Sequence, residues 1–244
     1  MFSRVKISVI VPAFNEEKLL GPSLVEMKSA AQSFAKRGWE FELVVCNNNS
    51  TDRTAAIAEA AGAKVIFEPF NQIGRARNTG ASAATGDWFV FVDADSHPSA
   101  ALFADVAEQI ASGNCMAGGA TIRLDARHYV AGAVNWIWNQ SSRVGKWLAG
   151  SFIFIQATAF REMGGFDTRF FAGEELELSQ RIKKLARAKK LKVVVLHRHP
   201  LVTSARKLHL YTLGDHLKLL FRVFRNKRVL TKREECILWY DGRR

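Results

Sequence analysis

Short runs of β-branched and aromatic residues alternate with longer amphipathic stretches through the first hundred residues. The runs ISVIV, LVVC and FVFV are typical of buried strands in a parallel sheet. The stretches between them have helical spacing, and we predict the first helix over residues 15–38, capped by Asn15 and closed by Gly38. The order β-α-β-α-β-α-β predicts an α/β fold with a mostly parallel central sheet flanked by helices.

Beyond residue 98 the alternation becomes less regular. Helices are predicted at ALFADVAEQIAS and GEELELSQRIKKLARAKK, and strands at MAGGATIRL, within LAGSFIFIQ and at LKVVVLHRHP. The last part of the chain has an amphipathic rhythm, which predicts a basic C-terminal helical extension over residues 206–244.

The composition fits one folded domain. Of 244 residues, 48% are hydrophobic and 24% are charged, which is enough to bury a core without disulfides. The three cysteines are far apart and lack metal-binding spacing, so we expect reduced thiols in a cytoplasmic protein. The apolar run near the N-terminus is too short for a signal peptide, and no run approaches the ~20 residues of a spanning helix.

The charge is strongly basic, at +12, and Lys and Arg concentrate after residue 183. Such a surface attracts nucleic acid, anionic lipid or phosphorylated substrates. Because the chain has neither an RNA-binding aromatic signature nor zinc-finger spacing, we expect no nucleic acid partner. The basic tail has two interpretations: a solvated amphipathic helix, or peripheral docking on the anionic inner face of the cell membrane.

The fourth predicted strand ends in two carboxylates. Asp93 and Asp95 follow FVFV with only Ala94 between them. Residues i and i+2 of an extended chain share a side, so these charges repel unless a cation joins them or the chain turns to solvent. A hard divalent cation is held by one or two carboxylates together with phosphates and water. Two interpretations are therefore open. Either Asp95 binds a metal, with Asp93 on the metal or on a ribose hydroxyl, or the two residues belong to a simple capped turn.

Three strand ends carry polar sequences that should meet at one edge of the sheet. PAFNEE, NNNSTD and DADSHP each follow a predicted parallel strand, and such sheets bind ligands at the carboxyl ends of their strands. Backbone groups near Ala13 and Phe14 could meet a nucleobase, and Glu16 or Glu17 could accept a ribose hydroxyl. The asparagine amides suit the edge of an uncharged base. Ordinary turn and helix-start chemistry explains the same residues.

Two arginines open the third predicted helix, IGRARNTGASAATG. The small residues of this helix predict close packing on the sheet. Arg75 and Arg77 would then serve as diphosphate contacts, because a guanidinium matches phosphate geometry. The ordinary interpretation is a solvated helix start.

In this order, the motifs resemble those of glycosyltransferase family 2, a large inverting family with the nucleotide-sugar-binding GT-A fold. The resemblance covers about the first hundred residues and resumes at GGFDTRFFAGEELELSQR. It implies a Rossmann-like GT-A domain over residues 1–205, with a nucleotide-sugar-binding half, 1–98, and an acceptor-side catalytic half, 99–205. The family's processive QxxRW signature is absent, which disfavours a polysaccharide synthase.

The resemblance also implies roles for individual residues. Asp93 and Asp95 would be the DxD motif that holds Mg²⁺ or Mn²⁺ against the donor diphosphate. Glu175 would be the catalytic base, with Glu174 as the alternative. His197 and His199 would be candidates for a further metal ligand, or surface histidines in a basic patch. The donor nucleotide would contact residues from the strand ends and the third helix: Pro12, Ala13, Phe14, Asn15, Glu16, Asn48, Arg75, Arg77, Asp93 and Ala94.

Two positions depart from the family pattern. Asn47-Asn48-Asn49 replaces the usual Asp-Asp-Gly, so the contact to the base would be an amide. A glutamate replaces the usual aspartate at the base position. A carboxylate there has independent physical support, because an inverting displacement needs a base on the acceptor hydroxyl and a cation on the leaving diphosphate.

The sequence therefore predicts an inverting, metal-dependent, non-processive transfer of sugar from a nucleoside-diphosphate sugar, with a UDP-sugar favoured. The acceptor would be a hydroxyl of a sugar, a small molecule, or a lipid-linked or cell-envelope glycan. A nucleotidyltransferase is an alternative, though its Gly-rich basic loop is missing. A catalytically silent nucleotide-sugar binder or membrane adaptor is another. Trp136, Trp138 and Trp147 are either core residues or platforms for sugar rings or a lipid tail.

Overall fold

The computed structural model describes residues 5–125, 129–205 and 227–236. Within these residues the strands form one eight-stranded sheet. The strands are β1 (Lys6–Ala13), β2 (Glu40–Asn47), β3 (Lys64–Phe67), β4 (Trp88–Val92), β5 (Ser96–His97), β6 (Cys115–Leu124), β7 (Phe152–Gln156) and β8 (Lys192–Thr203). The helices are α1 (Leu20–Ala35), α2 (Thr54–Ala60), α3 (Ile73–Ala83), α4 (Ala100–Ala111), α5 (Tyr129–Gly145), α6 (Ala157–Glu162) and α7 (Glu174–Ala188).

The strand order is β3-β2-β1-β4-β7-β6-β8-β5. The first four strands pair in parallel, as predicted. β7 is antiparallel to both β4 and β6, β8 is parallel to β6, and β5 is antiparallel to β8. The antiparallel strand β7 brings the loop before it beside the carboxyl end of β4, where Val92 pairs with Phe152. That loop therefore joins the ligand-binding edge of the sheet.

Alternating side chains of β4 reach two separate cores. Val90 and Val92 face the layer built on α1 and α4, where Phe34 and Phe103 stack with ring centroids 5.1 Å apart. The side chains of Phe89 and Phe91 face the opposite layer, which contains α3, α6 and α7. Because both faces of the strand are buried, its sequence is apolar throughout rather than alternating. The α/β layering predicted from the sequence is confirmed.

The first helix begins five residues later than predicted. Asn15 has a φ of 51° and does not cap a helix; α1 begins at Leu20, without acidic residues in its first turn. The amides of residues 15, 16 and 17 donate instead to the side chains of Ser50, Thr54 and Asp52. These bonds satisfy the amide groups that a helix start would have left unpaired, so PAFNEE forms a loop locked to the β2–α2 connection.

Two other differences concern the ends of elements. His97, predicted as a turn residue, pairs with Val202 in the short strand β5. The helical extension predicted for residues 206–244 lies mostly outside the described residues; residues 227–236 form 3₁₀ turns at Lys227–Thr231 and Arg233–Glu235. Among the helices of the described residues, none is both long and apolar enough to cross a bilayer.

Candidate active site

A buried arginine joins three parts of the fold at the carboxyl edge of the sheet. Arg77 is only 1% exposed. Its Nη1 donates to Glu174 Oε1 at 2.6 Å, and its Nη2 donates to Asp93 Oδ1 at 2.9 Å and to the carbonyl oxygen of Gly150 at 2.8 Å. The guanidinium also lies 5.2 Å from the centre of the Phe166 ring. Arg77 therefore ties α3 to the end of β4, the loop before β7 and the start of α7.

Arg77 is buried because α3 packs closely on the sheet through glycine. A Cβ atom at Gly80 would lie 2.6 Å from Ile10 Cγ2, and one at Gly74 would lie 3.6 Å from Phe166 Cβ. Residues three apart share a helix face, so Arg77 lies on the same face as both glycines. Burial acts to lower the pKa of Arg77, but the charges of Asp93, Glu174 and Glu175 outweigh it and the pKa is raised. The arginine is a permanent cation within the site.

The two neighbouring glutamates at the start of α7 have different environments. Glu174 is 3% exposed and is held by Arg77. Glu175 is half-buried and lines a cavity. Burial, together with the charge of Glu174, raises the pKa of Glu175 to about 8, although Arg77 opposes this shift. Of the two, Glu175 has the environment of a proton acceptor that titrates near neutral pH.

The cavity has a volume of about 230 Å³. Gly150 keeps it open: a Cβ atom there would lie 3.3 Å from Arg77 Nη2 and 3.5 Å from Glu175 Cδ. The lining combines charged groups from α3, β4 and α7 with apolar side chains from β6 and α5. Its residues are Ile73, Arg77, Asp93, Ile122, Trp138, Ala149, Gly150, Ser151, Glu174 and Glu175.

The loops that follow β1, β2 and β3 are called the donor-side loops, and the first two, which were predicted to meet at the sheet edge, do meet. Pro12 and Ala13 are buried at the end of β1, and the carbonyl of Ala13 accepts from the amide of Asn48 at 2.8 Å. Asn15 Oδ1 accepts from the amide of Thr51 at 2.8 Å. Of the other predicted donor contacts, Glu16 and Ala94 are buried and Phe14 is half-buried. Their roles toward a nucleotide stay predictions.

Asn48 does not have the arrangement predicted for a base contact. Its side chain is 3% exposed. Its Nδ2 donates to the carbonyls of Glu68 and Phe70 at 3.2 and 2.7 Å, and its Oδ1 accepts from the amide of Gln72 at 2.9 Å. These bonds use the amide to hold the β3–α3 connection, which favours a structural role. The nucleobase contact of Asn48 stays a prediction.

The two arginines of α3 also have different environments. Arg77 was predicted to bind a diphosphate, and its Nη1 and Nη2 donate to carboxylates and a carbonyl, which favours a role in organising the site. Its diphosphate contact stays a prediction. Arg75 is exposed, donates from Nε to Gln72 Oε1 at 2.9 Å and lies over the Phe70 ring at 4.9 Å. A diphosphate contact by Arg75 stays a prediction.

The DxD residues lie in a turn rather than on an extended strand. The amide of Ser96 donates to the carbonyl of Asp93 at 3.1 Å, so the chain reverses after β4. Asp93 lines the cavity, and Asp95 is largely buried, with its carbonyl accepting from the amide of Ser204 at 3.2 Å. The turn is held against the end of β8.

The histidines of β8 do not join this pair. His199 Nδ1 lies 3.0 Å from Asp105 Oδ2 on α4, and His197 is exposed. Across residues 5–125, 129–205 and 227–236, no three His, Cys, Asp or Glu side chains are grouped as metal ligands. β8 directs His199 toward α4. The metal contacts of His197 and His199 stay predictions.

Six of the ten lining residues were not predicted for the site: Ile73, Ile122, Trp138, Ala149, Gly150 and Ser151. The sequence left two roles open for Trp138, in the core or at a ligand, because nothing in its pattern determined which side of α5 faces the sheet. Gly150 stands between two strand-forming segments, where a glycine often marks close approach of another group. Both lie within residues 99–205, the segment predicted to form the acceptor side.

Comparison with known proteins agrees with this fold and its motifs. The family model described as "Glycosyl transferase family 2" matches residues 8–170. The uncharacterized glycosyltransferase EpsJ of Bacillus subtilis is 31% identical over 108 residues, which are 42% of this chain and 30% of that protein. The chain thus spans less than a third of the length of this curated relative.

Solved structures show the same fold over nearly the whole chain. The structure of TarS residues 1–349 from S. aureus in complex with UDP-GlcNAc has a TM-score of 0.64 at 19% identity, covering 97% of this chain and 71% of that one. The mannosyltransferase PcManGT from Pyrobaculum calidifontis, in complex with GDP-Man and Mn²⁺, has a TM-score of 0.67 at 20% identity, covering 91% and 62%. The fold is GT-A, and the chain belongs to glycosyl transferase family 2.

Proposed function

We propose that this chain is an inverting, metal-dependent, non-processive glycosyltransferase that moves a sugar from a nucleoside-diphosphate sugar to an acceptor hydroxyl. The observation that carries the proposal is the contrast at the start of α7. Glu174 is paired with Arg77, whereas Glu175 lines the cavity with its pKa raised to about 8. A carboxylate with that pKa can take a proton from a hydroxyl group near neutral pH.

Glu175 is the proposed general base. In an inverting transfer, the acceptor oxygen bonds to the anomeric carbon on the face opposite the breaking bond to the diphosphate oxygen. The acceptor proton passes to a Glu175 carboxylate oxygen as that bond forms. Arg77 positions the surrounding carboxylates, because it fixes Glu174 behind the base and Asp93 at the cavity wall. Gly150 leaves space beside the base for the reacting groups.

Asp93 and Asp95 fit a hard divalent cation. Two carboxylates, with phosphates and waters completing the shell, are the donor set that Mg²⁺ and Mn²⁺ take in phosphate-binding sites. Asp95, with Asp93, would hold the ion against the donor diphosphate. When bound, the ion would stabilise the negative charge that develops on the leaving diphosphate. The Mn²⁺ in the PcManGT complex supports this assignment.

The donor is proposed to be a UDP-sugar lying across the donor-side loops. The UDP-GlcNAc complex of TarS supports a uridine nucleotide, and GDP-Man in PcManGT keeps a guanosine nucleotide as the alternative for the test. Contacts are proposed from the backbone of residues 12–16 and from Arg75. The Asn48 amide is excluded from this set because it holds the β3–α3 connection.

The acceptor is proposed to enter from the α5 side, where Trp138 lines the cavity. A tryptophan face suits a sugar ring, so glycan acceptors, free or lipid-linked, are favoured among hydroxyl compounds. The proposed setting is the cytoplasm, with peripheral contact to the membrane.

Donor binding is tested first. Thermal unfolding is measured with UDP-, GDP- and dTDP-sugars, each with Mn²⁺ and with chelator, because a ligand of the folded state raises its apparent stability. We expect a UDP-sugar to stabilise the chain only with the cation present. Asp95→Asn should abolish the cation-dependent part. Absence of stabilisation by every donor would refute the donor site.

Stereochemistry tests the mechanism. Donor turnover is followed by proton NMR of the anomeric centre, which distinguishes inversion from retention before mutarotation. Inversion is expected in the wild type, and Glu175→Gln should bind donor normally while losing turnover. Retention of configuration, or full turnover by Glu175→Gln, would refute the assignment of Glu175 as base.

A further inference from the structure

Helix α5 is inverted relative to an ordinary surface helix. Surface helices of soluble domains turn their apolar side chains to the core and their polar side chains to water. In α5, polar side chains hold the helix to the sheet, while large apolar side chains face solvent. The exposed fractions are 57% for Val134, 63% for Trp136, 58% for Ile137 and 85% for Val144.

Hydrogen bonds fix this orientation. Asn135 Nδ2 and Asn139 Nδ2 both donate to the carbonyl of Ile122, at 2.7 and 2.8 Å, and Asn139 Oδ1 accepts from the amide of Ile122 at 2.9 Å. Ser142 Oγ donates to the carbonyl of Trp147 at 2.5 Å. Turning the apolar face inward would break the three bonds to Ile122 and remove the side-chain partners of its amide and carbonyl groups. The outward apolar face is therefore built into the fold.

The exposed apolar residues lie on one side of the helix, which we call the α5 face: Val134, Trp136, Ile137 and Val144. Gln140 and Ser141 lie between Ile137 and Val144 on this side. Ile137 and Val144 are seven residues apart and lie almost in line along the helix, and Val134 precedes Ile137 by three. Trp136 widens the face on one flank. Trp138, which lines the cavity, follows Val134 by four residues and is its neighbour on the helix surface. The α5 face thus reaches the edge of the cavity.

The charged side chains of α5 and of the segment that follows it are all basic. Residues 129–150 contain no Asp or Glu. Arg143 and Lys146 are exposed at the C-terminal end of the helix. Lys183 Nζ donates to the carbonyl of Gly145 at 2.9 Å and lies 3.5 Å from the centre of the Trp147 ring. Exposed Trp and aliphatic side chains with a basic flank are the pattern of helices that lie in a membrane interface.

We propose that the α5 face docks on a lipid bilayer that contains anionic lipid. Ile137, Val144 and Trp136 enter the headgroup region, and Arg143 and Lys146 meet the lipid phosphates. A second copy of the chain fits this face less well. A twofold contact would bring the Arg143–Lys146 ends of both copies to the same interface, with no acidic residue of α5 to pair with them. Docking would bring the cavity edge to the bilayer surface.

Vesicle co-sedimentation with the full chain tests the proposal. The vesicles are phosphatidylcholine, with and without phosphatidylglycerol. The double variant Ile137→Ser/Val144→Ser removes apolar area without touching the buried side of α5. Its control is Val25→Ser on α1, which is 67% exposed but outside the α5 face. We expect the double variant to lose about tenfold or more in partitioning to anionic vesicles, and the control to match the wild type within about twofold.

The basic residues are tested separately. Arg143→Gln/Lys146→Gln should weaken binding to anionic vesicles and leave the weaker binding to neutral vesicles unchanged. The basic C-terminal residues are present in every variant, so differences between variants report on α5. Equal partitioning of the Ile137→Ser/Val144→Ser variant and the wild type would overturn the proposal. A dimer in analytical ultracentrifugation that this variant abolishes, without vesicle binding by the wild type, would also overturn it.

Donor binding by the same proteins separates this inference from the proposed function. Neither Ile137 nor Val144 lines the cavity, so the double variant should bind the donor as the wild type does. Loss of vesicle binding with intact donor binding supports the α5 face. A wild type that binds vesicles but no donor would refute the proposed function and leave the membrane surface standing.

Discussion

Polar residues act in opposite ways in the donor-side loops and in the carboxylate cluster, which consists of Arg77, Asp93, Glu174 and Glu175. In the loops, side chains bind backbone: Asn48 holds the β3–α3 connection, and Gln72 Nε2 donates to the carbonyls of Thr168 and Phe170 at 2.7 and 2.8 Å. In the cluster, side chains bind one another, as Arg77 does with Asp93 and Glu174. The polar residues of the loops therefore hold the backbone in its conformation, and those of the cluster determine the charge of the site.

The comparison teaches that a polar residue at a ligand-binding edge is not by itself a ligand. A buried amide with all its groups bonded to backbone contributes by holding a loop. A buried carboxylate whose charge is not fully balanced by a cation still shifts the pKa of neighbouring titratable groups. Substitutions in the loops should therefore act mainly on stability, whereas substitutions at Glu175 should act mainly on turnover.

The largest expected effect is at Glu175. Glu175→Gln keeps the size of the side chain and removes the proton acceptor, so kcat should fall by about a hundredfold to ten-thousandfold. The measurement is initial-rate transfer with donor saturating, together with the donor Kd by calorimetry.

The fold of this variant provides the control. The raised pKa means that the native state disfavours ionised Glu175, so the glutamine variant should unfold at the same temperature or higher at alkaline pH. A variant with lost activity and a lowered Tm would instead indicate a structural role, contrary to the division between loops and cluster.

The next effect is on stability, at Arg77. Arg77→Met leaves Asp93 and Glu174 without their counter-ion in a buried position, and losing one partner of such a pair costs about 3–5 kcal/mol in the free energy of unfolding. Urea unfolding measures the change. The matched control is Arg53→Met, whose exposed pair with Glu17 should contribute nothing measurable. Equal stability of the two variants would show that Arg77 does not organise the cluster.

A smaller loss is expected at Asn48. Asn48→Asp restores the residue type of the family pattern but removes the Nδ2 donor that two carbonyls accept. The two carbonyls lose their donor and face a carboxylate oxygen in a buried position, so the free energy of unfolding should fall by at least about 1–3 kcal/mol. The donor KM should stay within about twofold of the wild-type value. A large change in KM without a change in stability would support the predicted contact between Asn48 and the nucleotide.

The fold was largely readable from the sequence, since apolar runs such as the one before Asp93 specify buried strands. The start of α1 was not readable. Asn15 and the acidic residues after it have good helix-start chemistry, but their amides find partners on residues 50–54, which are remote in the chain. Helix propensity depends on neighbouring residues, so it cannot show that these amides will bond to side chains elsewhere in the chain.

The site was readable in part. The motifs indicated Asp93, Glu174 and Glu175 but not their division of labour, which depends on the position of Arg77. Its burial had a signal: Arg77 precedes Gly80 by three residues and so lies on the helix face predicted to pack on the sheet. The inversion of α5 had none, because its helical period is the same whichever face points inward.

Glu174 should set the pH range in which Glu175 acts. Glu175 accepts a proton only when ionised, and burial together with the Glu174 charge raises its pKa to about 8. The value of kcat/KM should therefore rise with pH through about 8 and level off above it. Glu174→Gln removes the neighbouring charge and keeps a hydrogen-bond acceptor for Arg77, so the rising limb should move to lower pH. The kcat/KM profile of this variant is compared with that of Glu174→Asp, which keeps the charge and should keep the limb near the wild-type position. An unmoved limb in Glu174→Gln would mean that burial, rather than the charge held in place by Arg77, determines when the base is active.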